Sequence, residues 1–517
     1  MESSAKIKAA SLFVILAGGL IAGLIVSVGF TAESRIIKFA LLGGILMPLV
    51  ILMSGNQRLF FLVGLILAAP LGLSLNFLTI IHIGGSPSYS IDLTDFFLVP
   101  LLVFILRDLF TGKRSAIRIP SIGWWWAGLI VLGIMSMVIG PLRNLTGYEV
   151  LRMVKGLLIL FVIVNECVRR RHFVWVLLAL AAGLWLQILV GLVQFVIRRD
   201  LGLQALGEAA PEAIAGANLG VYLTTGSVFR VSSLMGHPNL LSAYLALLLP
   251  IFIALLFTNL TRWVKIGITT MVLFGGIVLV ITLSRSGWIA FAAAFIALLM
   301  FVFFESNLRK RHLALKGFFV VFAFSIALVA SGPVIKRLTE SDSGAVDFRY
   351  EFMGVAVRMI EARPVLGFGL NKFVYEMAPY TRYGSVQTLI DRFGEHWPAV
   401  HNIYLLVWSE QGTIGIILFL AFHIHLFRIG AQNLRYHLDP LMHAVNIGAM
   451  CGIVALLVDG MASFFIRVPA SNRVFWIVVA RFFCGLFTVE EVVPFCAFFC
   501  AVPKLLIVLF KLTCTLL

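Results

Sequence analysis

Long apolar runs separated by short polar turns recur along almost the whole chain. Runs of about 18 to 25 residues are the length a helix needs to cross a bilayer core. Such runs fall near 9–30, 36–53, 59–80, 94–110, 123–140, 149–167, 173–197, 239–258, 265–283, 287–304, 314–331, 402–427, 443–460 and 473–488. The pattern predicts an all-α polytopic membrane protein of about 12–14 transmembrane helices. One polar interruption is much longer than the others and spans 332–401. Within it Phe348, Phe352, Val355 and Met359 recur at helical spacing until Pro364 stops the pattern. That spacing predicts an amphipathic helix lying in the interface or against the bundle. Arg349 flanks its apolar stripe and Arg358 lies about half a turn away, so the two cannot address one small anion. Gly367-Phe368-Gly369 predicts a tight turn; with no third glycine and no preceding strand, a dinucleotide site is unsupported.

Composition and charge sharpen this picture. The chain of 517 residues is 61% hydrophobic and only 12% charged, with mean hydropathy +1.04, which excludes an ordinary water-soluble protein. The 40 Lys+Arg against 24 Asp+Glu give a formal charge of +16. Many basic residues sit in short loops, and no helix-turn-helix or RNA-binding pattern accompanies them, so nucleic acid is rejected as a partner. Lys113/Arg114/Arg118, Arg169/Arg170/Arg171, Arg262/Lys265 and Arg309/Lys310/Arg311 fall on one side of the predicted spans, which the positive-inside rule makes cytoplasmic. Residues 141–148, 198–236, 284–286 and 332–401 then emerge together on the external side. The run behind Lys6 and Lys8 is too long for a signal-peptide core and lacks a small-residue cleavage site, so it predicts a retained anchor. Cys167, Cys451, Cys484, Cys496, Cys500 and Cys514 have no zinc-like spacing and read as buried free thiols. The chain divides into N-terminal spans (1–144), a core with the external loop (145–430), C-terminal spans (431–488) and an apolar Cys-rich tail without an assigned role (489–517).

Four external groups carry candidate chemistry: Arg230 with Gly236-His237-Pro238-Asn239, Ser284-Arg285-Ser286-Gly287, Phe348-Arg349-Tyr350-Glu351, and His401-Asn402 at the end of the long loop. Arg152 and Lys155 lie near the external end of another span and could join them. A single arginine at a helix end is as readily explained by snorkelling to the interface. Several arginines on one face suit a phosphate ligand instead, because guanidinium forks pair bidentately and stay charged. A lipid-linked pyrophosphate at the membrane surface is such a ligand. His401 can accept a proton near neutral pH, against the plainer role of a packing or capping histidine. His237 is also a good helix-start residue before Pro238, and His396 has no supporting motif. Asp-x-Asp, Walker A, HExxH and Gly-x-Ser-x-Gly patterns are absent, which suits a mechanism without metal or cofactor using a lipid-activated donor.

Together these motifs resemble the O-antigen ligase / O-antigen polymerase superfamily of bacterial membrane glycosyltransferases. The resemblance covers about residues 145–430 and rests on Arg230, Gly236-His237-Pro238-Asn239, Thr282-Leu283-Ser284-Arg285-Ser286-Gly287, Phe348-Arg349-Tyr350-Glu351, Ala362-Arg363-Pro364-Val365-Leu366-Gly367-Phe368-Gly369 and His401-Asn402. It implies a type C glycosyltransferase fold in the bacterial inner membrane, with its active site facing the periplasm or exterior. It further implies an undecaprenyl-pyrophosphate-linked glycan as donor and an acceptor glycan, lipid-linked sugar or protein hydroxyl, with inversion at the anomeric carbon. Carried over, Arg230, Arg285 and Arg349, and less firmly Arg152, hold the pyrophosphate, and His401 is the base. His237, Asn239, Asn402 and Lys155 are supporting candidates. The extra N-terminal spans and the Cys-rich tail depart from the family pattern. The competing classes are a secondary transporter, for which mid-span charges are scarce and Asp459 is the clearest, and a lipid-linked glycan flippase needing the arginines but not His401.

The predicted topology has a direct check. A cysteine at Ser385, in a background cleared of native cysteines, is expected to react with membrane-impermeant maleimide from outside intact cells. Labelling only after the membrane is opened would reverse the orientation.

Overall fold

The computed structural model describes residues 56–80, 85–114, 116–139, 142–209, 220–223, 226–304, 345–381, 399–435, 439–482 and 492–494. Its helices are α1 (Gln57–Ala68), α2 (Leu93–Phe110), α3 (Gly123–Ile139), α4 (Arg143–Glu166), α5 (Arg170–Ile197), α6 (Pro238–Leu255), α7 (Arg262–Ile281), α8 (Arg285–Phe304), α9 (Ala345–Ala362), α10 (Ile403–Arg435), α11 (Pro440–Asp459) and α12 (Pro469–Arg481). Among the described residues six of these, α5, α6, α7, α8, α10 and α11, are long and apolar enough to cross a membrane. The all-α polytopic architecture is therefore as the hydropathy pattern predicts. Short antiparallel pairs decorate it: β1 (Ser74–Phe77) with β2 (Tyr89–Asp92), β3 (Ala116–Arg118) with β6 (Val492–Pro494), and β4 (Gly220–Leu223) with β5 (Gly226–Phe229). The predicted spans near 9–30, 36–53 and 314–331, together with Ser385 and His396, lie outside the described residues.

The core is organised on α6. His237 caps it by accepting the Asn239 amide on Nδ1 at 3.1 Å, and Pro238 occupies its first turn, where no N–H is needed. The helix is apolar on every side and 89% of its residues are buried, because α7, α8 and α11 pack around it. The tightest of these contacts is with α11. A Cβ added at Gly452 would lie 2.1 Å from the Leu247 carbonyl oxygen, and one at Gly448 2.4 Å from the Ile251 Cα. Two glycines four residues apart thus let the two backbones touch, a packing device suited to membranes, where water supplies no drive to join helices. The contact runs antiparallel, so it sets the α11 end at Asp459–Met461 opposite the α6 start at His237–Pro238.

The two ends of the bundle differ in chemistry. At one end Arg58 reaches Glu166 (3.1 Å) and Asp108, Arg114 reaches Glu166 (3.1 Å), and Arg170 pairs with Asp439. The structure gathers there the basic segments around Arg114 and Arg170. The opposite end holds the α6 start, the α7–α8 turn, the α10 start and the α11–α12 connection. One boundary differs from the hydropathy reading: the apolar run 59–80 is not one helix. α1 stops at Ala68 because Pro70 lacks an N–H to continue it, and the Gly72 amide turns to the Leu206 carbonyl at 2.8 Å. The predicted amphipathic helix is α9, whose Phe352, Val355 and Met359 are buried against the bundle.

Gly452→Ala is expected to destabilise the fold by at least about 2 kcal/mol, since the Leu247 carbonyl cannot move without its helix. Equilibrium unfolding in detergent micelles measures this, and an unchanged midpoint would contradict the close crossing.

Candidate functional site

Arg230 and His237 stand at either end of an irregular segment that leads into α6. Two glutamines of α5, one heptad apart, hold it. Gln194 Oε1 accepts the Ser233 amide (2.8 Å), Gln187 Oε1 accepts the Leu234 amide (3.0 Å), and Ser233 Oγ donates to the Gln187 carbonyl (2.8 Å). Because these backbone groups are satisfied within the bundle, the segment needs no water. The Arg230 guanidinium is buried and donates from Nε to the Thr282 carbonyl and from Nη2 to Asn239 Oδ1, each at 2.9 Å. It thereby ties the α6 start to the α7–α8 turn.

That turn carries Ser284-Arg285-Ser286-Gly287. Leu283 takes a left-handed conformation (φ 51°), and α8 begins at Arg285. Gly287 allows α8 to close on α6: a Cβ there would lie 2.3 Å from Ser242 Oγ. Arg285 is half-buried between the two serines. Ser463 donates to Asp459 Oδ2, and Ser286 approaches the same carboxylate. Asp459 is buried at the end of α11, and its Oδ1 has no hydrogen-bond partner among the described residues.

His401 reaches this cluster through α10. Asn402 caps that helix by accepting the Tyr404 and Leu405 amides at 3.0 Å each, and its Nδ2 donates to the Met461 carbonyl at 3.1 Å. The Ile403 amide donates to the Gly460 carbonyl at 2.9 Å, and the His401 ring packs on Phe464 with centroids 5.1 Å apart. The α10 start is thus stapled to the turn that follows Asp459. The Ala399 carbonyl lies close enough to the His401 ring to favour its protonated form slightly.

Arg349, exposed near the start of α9, completes the arrangement: its charge acts on His237, His401 and Asp459. Burial, reinforced by Arg230, His401 and Arg349, pulls the His237 pKa from 6.5 down to about 3. Burial and Arg349 pull that of His401 down to about 4. Both imidazoles are therefore neutral at pH 7, with the Arg349 charge acting on each and Arg230 also on His237.

The structure brings together Arg230, His237, Asn239, Arg285, Arg349, His401 and Asn402 at one end of the bundle. It holds Arg152 and Lys155 differently. Arg152 forks onto Glu149 and the Ile466 carbonyl, and Lys155 pairs with Asp95 and with Asp92 (3.3 Å). Their charges are neutralised within the fold, which removes the reason to assign them to an external anion. Arg358 faces away from Arg349, donating to Glu351 (3.1 Å) and the Tyr380 carbonyl (2.6 Å). The site member that motif reading missed is Asp459; an acid at the end of an apolar span is the signal that marks it.

This fold and site define a polytopic helical membrane protein whose described residues cluster arginines, histidines and Asp459 at one end of the bundle. Residues 269–420 match the family model for O-antigen ligase. The match supports the O-antigen ligase/polymerase superfamily that the motifs resemble, a family of membrane enzymes that transfer glycans. A search of curated proteins finds no match to the chain.

The neutral histidines give a pH signature. As pH falls, each unfolded histidine takes up its proton near 6.5, while the folded ones resist until about 3 and about 4. The unfolded chain binds more protons across that window, so these groups destabilise the fold as pH drops from about 6.5 to about 4. The fall in Tm over this range is expected to be smaller in a His237→Asn/His401→Asn variant, which keeps the helix cap at 237. Equal falls in Tm would contradict buried neutral histidines.

Proposed function

We propose that the chain moves a glycan from an undecaprenyl-pyrophosphate donor to an acceptor hydroxyl on the external face of the cytoplasmic membrane. The observation that carries this reading is His401, packed on Phe464 beside the turn that follows Asp459 and within the field of Arg349. Its ring nitrogen takes the acceptor's proton as the hydroxyl oxygen bonds to the anomeric carbon. The bond from that carbon to the pyrophosphate oxygen breaks on the opposite side, inverting the centre, and the electron pair leaves with the pyrophosphate. Pyrophosphate is already a good leaving group, so positioning and charge stabilisation supply most of what the protein must add.

Arg230, Arg285 and Arg349 hold the pyrophosphate. The two phosphates also answer the electrostatics of the site. A base with a pKa near 4 is weak, and part of that weakness is the like charge of Arg349. Anionic donor beside Arg349 offsets that charge and raises the basicity of His401, so the base becomes effective once substrate is bound. Asp459 also lies within the field of Arg349. Ligase and polymerase chemistry share this donor site and differ in the acceptor.

The test is glycan transfer by purified protein from an undecaprenyl-pyrophosphate-linked oligosaccharide. His401→Ala is expected to lower transfer about 100-fold or more with Tm unchanged. Arg285→Lys is expected to be nearly as damaging as Arg285→Ala, because a lysine loses the fork. Normal transfer by the folded His401→Ala protein would remove the base role.

A further inference from the structure

The helix α10 is not continuous. At Gly412 its backbone leaves helical geometry (φ 66°, ψ −169°), and a break in a membrane helix strands carbonyls on one side and amides on the other. Here a strap from the long loop crosses the break and pairs with both. The Phe368 and Gly369 amides donate to the Ser409 (3.0 Å) and Glu410 (2.7 Å) carbonyls, and the Thr413 amide and hydroxyl donate to the Pro364 carbonyl (2.7 and 2.8 Å). The approach is possible only with glycine: a Cβ at Gly412 would lie 2.0 Å from the Val365 carbonyl oxygen, and one at Gly367 2.6 Å from the Glu410 carbonyl. The expected tight turn at 367–369 is real, with φ 67° at Gly367 and 109° at Gly369. It lies inside the bundle rather than outside, leading to buried Leu370, Asn371, Lys372 and Phe373.

The break separates a short upper piece of α10, from Ile403 to Gln411, from the rest of the helix. His401 and Asn402 stand at its head. At its foot, Glu410 is buried, accepts the Phe373 amide on Oε1 (3.2 Å) and pairs through Oε2 with Arg467. Arg467, also buried, pairs in turn with Glu149 at 2.7 Å, and Glu149 with Arg152. The strap itself continues from α9, which bears Arg349 near its start. The piece carrying the proposed base is therefore held at both ends, and the strap that grips its foot is the same chain segment that bears a proposed donor ligand.

We propose that the Glu410–Arg467 pair and the strap across the α10 break position His401 against the donor held by Arg349, without touching substrate themselves. This rests on the proposed transfer reaction. A base displaced by about an ångström loses much of its effect, while donor binding by the arginines does not depend on it.

The experiment compares purified wild-type protein, Glu410→Gln and Thr413→Val in steady-state transfer from an undecaprenyl-pyrophosphate-linked oligosaccharide, with Tm measured on each. Glu410→Gln keeps an acceptor for the Phe373 amide but discharges the partner of Arg467. Its kcat is expected to fall about tenfold or more, with the donor KM within about twofold of wild type. Thr413→Val removes a half-exposed strap bond at constant shape, so it provides the test if Glu410→Gln fails to fold, and it should show the same split to a smaller degree. Wild-type kcat in a folded variant, or a loss confined to KM, would overturn the positioning role. No transfer by the wild-type protein would instead overturn the functional reading, and the positioning role with it.

Discussion

The backbone contact between α6 and α11 is the constraint from which the rest of the site follows. Lipid offers no hydrophobic drive to join two apolar helices, so their association depends on close packing. Gly448 and Gly452 provide that closeness against Ile251 and Leu247. Because the helices run antiparallel, the same contact places the capping His237 opposite the turn after Asp459. The α10 start is stapled to that turn by Asn402 and Ile403, and α8 closes on α6 through Gly287. Residues scattered from 230 to 463 in sequence thus converge through backbone approaches that a side chain would prevent.

Charge is handled in two ways within one membrane protein. A cation left unpaired in hydrocarbon is costly, and a paired one still carries a desolvation penalty that only good geometry offsets. Arg152, Lys155, Arg467 and Arg473 meet this with carboxylates: Glu149, Asp95, Glu410 and Asp92 alternate with them below the polar end. Removing either partner of such a pair would leave a buried charge uncompensated. The cluster around His401 is built otherwise. There Arg230 and Arg349 act on His237, and Arg349 also acts on His401 and on the buried Asp459.

The break in α10 joins these two regions. Its orphaned backbone groups are met by Pro364 and by the Phe368–Gly369 amides, so an irregular backbone is tolerated at depth because protein, not lipid, surrounds it. The strap also explains why Arg349 and Arg358, on one helix, diverge. Arg349 looks to the histidines, and Arg358 holds the Tyr380 carbonyl where the chain folds back.

Hydropathy alone determined that the chain is an all-α bundle, where most of its spans begin and end, and that α9 is amphipathic, because helix length and the 3.6-residue period are local properties. The candidacy of Arg349 and His401 came from residue type, since only a few side chains can pair with phosphate or take a proton near neutral pH. What the sequence could not show is which arginines pair with carboxylates. Arg152 and Arg230 look alike as residues near a span end, yet Glu149 neutralises the first, and the second faces His237. Nor could it show that 59–80 bends after Ala68 or that Gly367 and Gly369 enter the bundle to bridge a helix break. Those outcomes depend on partners distant in the chain, Leu206 for one and Ser409–Glu410 for the other. Pairing between remote backbone groups is a property of the packed structure, and only the tertiary fold decides it.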